Sequence, residues 1–227
     1  PRVVPDAQKI DVISYDEMLE MASSGSKVMQ SRAVEFAKKF GVRFEVRSSL
    51  NDNPGTLVTH ETMSMESVVI RGVSLERDQA KVTIEDVPDK PANASKIFQA
   101  IASANINIDM IVQNVSWDGK ADISFTLHKN DLAKAKEVLK PTLDGLGNEV
   151  SLSAMDGIAK VSAVGIGMRS HSGVAAQLFT ALGEAGINIQ MITTSEIKIS
   201  VTIVEAEAEE AARVVHRAFD LHHPKGS

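Results

Sequence analysis

Cysteine is absent from the 227 residues, which removes disulfides, thiolate metal centres and a cysteine nucleophile. Aromatic residues are scarce at 4%, with one Trp and one Tyr, too few for the stacking platforms that hold single-stranded nucleic acid. Positive charge is short. Lys and Arg number 24 against 30 Asp and Glu, a formal net charge of -6, the wrong sign for a partner held by phosphate neutralisation. No apolar run approaches the ~18 residues that cross a bilayer. The opening residues are charged and lack the apolar segment of a secretory leader. An initiator methionine is also missing: the chain opens Pro1-Arg2-Val3-Val4-Pro5 and reads as a piece of something longer. What is present is 43% hydrophobic and 24% charged, the composition of one or two globular domains. The cysteine-free balance fits the cytoplasm, with neither nucleic acid nor membrane as partner.

The chain divides into three parts. Residues 1–47 mix helix and strand signals. Ser14 followed three residues later by Glu17 forms a capping-box pattern. A second helix is expected over 32–40, ended by Gly41, and residues 42–46 alternate as a strand does. Residues 48–66, with Asn53-Pro54-Gly55, read as a linker. The remainder repeats itself. Residues 104–114 align with 185–195 at an offset of 81, with six of eleven positions identical. Ala94, Phe98 and Ala100 meet Ala175, Phe179 and Ala181 upstream; Ile123, Ser124 and Thr126 meet Ile199, Ser200 and Thr202 downstream.

Each copy has the same grammar. Strands are expected at 81–85, 106–112, 121–127 and 150–152. Helices carry Ala94, Ile97, Phe98 and Ile101, then Leu132, Ala135 and Leu139. The second copy runs through strands at 161–164, 187–193 and 197–204. Its helices carry Leu178 and Leu182, then Ala211 and Val215. It lacks a closing strand, which residues 67–75 can supply, making the first copy an insertion in the second. The fold class is α+β: two ferredoxin-like βαββαβ units after a shorter α/β segment. The expected boundaries are 1–47, a linker 48–66, a donated strand 67–79, copies at 80–155 and 156–221, and a tail 222–227.

The loop Val87-Pro88-Asp89-Lys90-Pro91-Ala92-Asn93-Ala94 carries the chemistry. Pro91 suits a first helical position. The free N–H groups of that turn can take a carboxylate, and Asp89 an ammonium. The loop therefore suits an amino-acid zwitterion; an ordinary capped helix is the other reading. The second loop, Gly165 to Gly173, is not a phosphate loop, since it is not Gly-x-Gly-x-x-Gly in a parallel βαβ unit. Its glycines serve positive φ or close approach. His171, His222 and His223 lack companions at metal spacing, and the nine Met residues read as core filling. Residues 205–210 place carboxylates at a helix start. Gln113, Asn114 and Ser116 in copy one, and Thr194, Ser195 and Glu196 in copy two, form either a ligand rim or solvated strand ends.

These residues together resemble a known family. The segments 87–91, 105–110, Gln113-Asn114, 167–171 and 194–197 resemble the tandem ACT domains of bacterial aspartate kinase. The opening segment 1–5, then 14–18, 25–29 and 32–35, are similar to the end of that family's amino-acid-kinase domain. The resemblance implies phosphorylation of the aspartate β-carboxylate by ATP with Mg in the complete enzyme, at the head of lysine, threonine and methionine synthesis. It implies feedback inhibition by lysine or threonine bound between ACT domains of a homodimer, with a catalytic subunit as a further partner. Carried over by motif, the effector residues are Asp89, Ala92, Ala94, Asn107, Ile108, Asp109 and Gln113, with Asn188 and Ile189 opposite. Ser116, Ala175, Ser195 and Glu196 form a corresponding second region. Arg2, Lys27 and Val28 resemble ATP contacts. No catalytic or metal residue is carried over, and no cofactor is expected for this chain alone. The chain departs from the family at Gln30-Ser31 and at Ser172. Met65 matches an internal start seen in some members. The expectation is a regulatory portion without kinase activity of its own. The alternative is a stand-alone ACT sensor serving another biosynthetic enzyme.

Overall fold

The computed structural model describes residues 2–65 and 67–223. Pro1 and the last four residues of the expected tail therefore lie outside the described residues. The chain forms two compact units. One takes the chain up to Arg77 and again from Lys160; the other is Asp78–Ala159.

The first unit opens with β1 (Val12–Ser14), α1 (Tyr15–Ser23), α2 (Ser31–Phe40), β2 (Phe44–Val46) and β3 (Thr56–Thr59). The capping box is formed: the Ser14 hydroxyl accepts the Glu17 N–H, and the Glu17 carboxylate accepts the Ser14 N–H, both at 3.1 Å. Gly41 ends α2 with φ +65. β3 was not expected, since 48–66 reads as linker. Thr56, Val58 and Thr59 of this strand are β-branched. It pairs parallel to β1 and antiparallel to β2, giving the order β1-β3-β2. Ile13, Tyr15, Met18, Val34 and Val58 form the core beneath this sheet.

The second unit holds the first repeat. It contains residues 78–88 of β4 (Gly72–Pro88), α3 (Asn93–Ser103), β5 (Ile108–Val115), β6 (Lys120–His128), α4 (Leu132–Asp144) and residues 151–159 of β7 (Ser151–Val164). The strand order is β5-β6-β4-β7. Alternation on β4 points Ala80, Val82 and Ile84 into a core with Ile97, Ile101, Phe125, Ala135 and Leu139. Val82 faces Phe125 and Thr83 faces Ser124 across the β4–β6 ladder.

The second repeat completes the first unit with residues 160–164 of β7, α5 (Val174–Glu184), β8 (Met191–Thr194), β9 (Lys198–Val204) and α6 (Ala208–Ala218). Residues 72–77 of β4 supply its outer strand, in the order β4-β7-β9-β8. The strands expected separately at 67–75 and 81–85 are one strand, β4, and those expected at 150–152 and 161–164 are one strand, β7. Glu209 and Glu210 fall in the first turn of α6. Met63 and Met155 are exposed, so core filling does not account for every methionine. No helix among the described residues is long and apolar enough to cross a membrane.

Two stability tests follow from this packing. Gly165 has an extended backbone, but a Cβ there would sit 2.2 Å from the Val69 carbonyl oxygen. Gly165→Ala should lower stability by ~1–3 kcal/mol through overpacking. Gly183→Ala, in α5 with open space around it, should raise stability by ~0.5–1 kcal/mol. Denaturant midpoints check both. His216 on α6 is 6% exposed, and burial first, then the charge of His222, holds its pKa below the ordinary 6.5, with Asp6 pulling the other way. The unfolded chain then binds more protons than the folded one, so stability rises with pH. His216's contribution is complete above pH ~6.5 and is lost as pH falls below that value. The midpoint should drop between pH 7.5 and 5.5, and His216→Leu should flatten that slope.

Candidate functional site

The two repeats open their first helices in the same way. The residue before α3 is Ala92, with φ +75; the residue before α5 is Gly173, with φ +87. They are 81 positions apart, the repeat offset. Neither helix start has a side-chain cap, so its first-turn N–H groups lack a side-chain acceptor. An anion such as a carboxylate suits that position, where the helix dipole adds to the N–H groups. Pro91 is therefore not the first helical residue: the left-handed turn at Ala92 delays the helix to Asn93. The signal for this lay in copy two, where the corresponding residue is glycine.

The loop before α3 is held by its neighbours. Asp89 donates its N–H to the Gly119 carbonyl at 2.8 Å, and the Asn93 amide donates to the Pro88 carbonyl at 2.8 Å. Lys120 bridges Asp86 and Glu149 at 3.0 Å each. Those two carboxylates, Glu149 foremost, raise its pKa and keep the ammonium charged. Asp86 sits at φ +58, where the β4–β6 register shifts. Asp89 and Ala92 are exposed and Ala94 is half-buried.

Register decides which expected residues meet. Pro88 faces Lys120 and Val115 faces Ala121, so the Asp89 loop, Gln113 and Ser116 share one end of the sheet. Ile108 faces Leu127, which puts Asn107, Ile108 and Asp109 at the other end. Ile108 is five residues from Gln113, ~16 Å along a strand. Copy two divides likewise. Ser195 and Glu196 are exposed in the β8–β9 turn, whereas Asn188 and Ile189 precede β8 at its far end. Ala175 lies in the first turn of α5.

The copy-two loop differs in its surroundings. Gly165, Ile166 and Gly167 are buried. Gly165 donates to the Ile197 carbonyl at 2.9 Å. Arg169 reaches Glu196 at 3.4 Å and holds both Glu61 oxygens at 2.9 Å. His171 is a loop residue, its Nδ1 2.8 Å from the Gly167 carbonyl oxygen. Glu17 on α1 is fully buried, and its Oε1 accepts the Ile166 N–H at 3.1 Å. Sequence reasoning saw Glu17 only as a cap, because its second partner lies 149 residues away. Glu20 adds an ion pair to Lys198 at 2.7 Å.

Lys27 and Val28 line an open cleft of about 510 Å³ together with Gly25, Ser26 and Arg32. Arg2 is exposed and does not line it. Among the described residues, no group of His, Asp or Glu is placed to hold a metal ion.

Two ferredoxin-like copies with matched helix starts define a tandem ACT-domain protein. The family model for the ACT domain matches residues 84–143 and 161–219, and that of the amino acid kinase family matches residues 1–48. The aspartokinase of Pseudomonas aeruginosa is 52% identical over 226 residues, 99% of this chain and 55% of that protein. The chain thus spans about half the length of the curated relatives it matches. The regulatory subunit of aspartate kinase from Thermus thermophilus, solved in ligand-free form, is 41% identical with a TM-score of 0.62, over 66% of this chain and 99% of that one. Aspartokinase III of E. coli, solved with lysine and aspartate in its T-state, is 25% identical with a TM-score of 0.74, over 96% of this chain and 48% of that one. The chain belongs to the aspartokinase family and corresponds to its regulatory region, with a short amino-acid-kinase fragment ahead of it.

Proposed function

We propose that this chain is the effector-sensing part of an aspartate kinase, one that converts ATP and L-aspartate to 4-phospho-L-aspartate in its complete form. Lysine or threonine is the effector, and binding feeds back on lysine, threonine and methionine synthesis in the cytoplasm. The observation that carries this is the uncapped, left-handed helix start at Ala92 beside the exposed carboxylate of Asp89. The first-turn N–H groups take the effector carboxylate and Asp89 takes its ammonium. Gln113, at the same sheet end, contacts the remainder. The solved lysine complex of E. coli aspartokinase III supports an amino-acid ligand.

The pairing is between copies. Asn188 and Ile189 of a second chain complete the site opposite Asp89, and Ser116, Ala175, Ser195 and Glu196 form the corresponding second region. β5 and β8 are the outer strands of the sheet order among the described residues, which favours such a dimer, since an edge strand invites another strand. Effector binding favours one arrangement of the pair, with ~1–3 kcal/mol of coupling sufficient for inhibition. In the complete enzyme, Arg2, Lys27 and Val28 lie against ATP and its Mg. The boundaries we propose are those of the sequence reading, 80–155 and 156–221, with 67–79 donated to the second copy.

Calorimetry with lysine, threonine, methionine and isoleucine, singly and paired, tests this. Lysine or threonine should give heat, and Asp89→Ala should weaken binding by ~1–3 kcal/mol, the scale for losing a charged hydrogen-bond partner. Unchanged affinity removes Asp89 from the site. The chain alone should form no phosphoaspartate from ATP and aspartate, because phosphoryl transfer needs a complete phosphate cradle. Measurable product from the purified chain contradicts that.

A further inference from the structure

We propose that Glu17 and Arg71 form the coupling element between the second repeat and the cleft at Lys27 and Val28, a role that rests on the effector reading above. The Glu17 carboxylate is fully buried. One oxygen accepts the Ser14 N–H and hydroxyl, both at 3.1 Å. The other accepts the Ile166 N–H at 3.1 Å. Arg71, with a side chain 15% exposed, places its Nε 3.7 Å from that same oxygen. This is beyond hydrogen-bond reach, and among the described residues the buried Nε has no acceptor. A displacement of ~0.8 Å would bring it to the ~2.9 Å of a charge-assisted bond. A closed arrangement of the pair therefore lies within a small shift of the open one observed.

The pair is connected on both sides. Towards the repeat, Ile166 follows Gly165, whose N–H is bonded to the Ile197 carbonyl, beside the proposed effector residues Ser195 and Glu196. Arg71 itself donates its backbone N–H to Val164 at 2.7 Å. Towards the cleft, Glu17 lies in the first turn of α1, and α1 ends at Ser23 with Ser24 as its cap and Gly25 next in the chain. Gly25 has φ +99 and packs so closely on Leu75 that a Cβ would meet its carbonyl at 2.6 Å. Lys27 and Val28 follow directly. A shift of the Ser195–Ile197 turn moves the Ile166 N–H, alters the Glu17–Arg71 distance and is carried by α1 to the cleft. On this proposal the Glu17–Arg71 pair is the element whose open and closed arrangements both ends bias.

Amide hydrogen exchange on the whole chain, with and without lysine or threonine, reads this directly. In the unsubstituted chain the effector should slow exchange at least several-fold both in the second repeat and across 18–28. Arg71→Gln leaves every hydrogen bond accepted by Glu17 intact. It should bind effector within about twofold of the unsubstituted chain, yet show no effector-dependent change across 18–28. Glu17→Gln should give the same loss if it folds, as circular dichroism will show. Persistence of the 18–28 response in Arg71→Gln overturns the proposal. Protection confined to the repeats of the unsubstituted chain overturns the coupling alone. Absence of calorimetric heat with any of the amino acids overturns the effector reading, and the coupling with it.

Discussion

The second repeat cannot close its own sheet. Residues 160–164 of β7 need a neighbour on each side; β9 provides one and residues 72–77 of β4 the other. Paired with β9 alone, that strand would leave a row of backbone donors and acceptors open to any extended segment. The repeat avoids this with a strand that precedes the whole first copy. The consequence reaches beyond the sheet. The donated strand follows the kinase-like fragment in the chain, and residues 69–71 just before it are drawn against Gly165 and Val164. Met65 packs with Ile166 and Ile197 for the same reason. With that strand donated, a helix at residues 15–23 reaches a loop that begins at residue 165.

Duplication supplied one scaffold and divergence gave its two loops different surroundings. The cross-strand hydroxyl pair survives in both copies: Thr83 with Ser124 at 3.0 Å, and Ser162 with Ser200 at 2.8 Å. The left-handed helix start survives too. What changed is access. In copy one the residues just before that start are open to solvent, braced from behind by Lys120. In copy two the head of the loop is filled by Glu17, and Arg169 is held by Glu61. The hairpin also differs. Copy one extends through Ser116-Trp117-Asp118-Gly119, with Trp117 fully exposed, whereas copy two turns between Ser195 and Lys198.

Much of this was legible in the sequence, where the signal was local. Helices with apolar residues at i, i+3, i+4 and i+7 form where that spacing places them. The Ser14–Glu17 box is present in full because both partners lie within one turn. The alternating strands around Val82 and Phe125 face the core as their period requires. What escaped was non-local. Thr56–Thr59 reads as a loop until β1 and β2 provide ladders on both sides. β4 and β7 read as four short strands because glycine and charged residues interrupt their apolar alternation. Pro91 favoured a helix start by its own geometry, but the backbone at Ala92 decides the matter. The division of Asn107–Asp109 from Gln113–Ser116 follows from a ladder register that no spacing rule reveals.

Glu17 is the sharpest case, because the physics of burial argues against reading it as a stabiliser. A carboxylate removed from water loses hydration that its partners must replace, and an apolar residue of similar size is often no worse. Its Ser14 contacts replace part of that hydration within α1. The Ile166 N–H replaces another part, but only if the fragment and the second repeat sit in one defined arrangement. Arg71 then supplies opposite charge without completing a hydrogen bond. A group arranged for stability alone would have closed that gap, since an unsatisfied buried donor is costly. An open pair beside a filled one suits a contact whose two geometries differ little in energy. Such a contact responds to a modest bias at either end, the property a sensor needs from the segment that joins it to the part it controls.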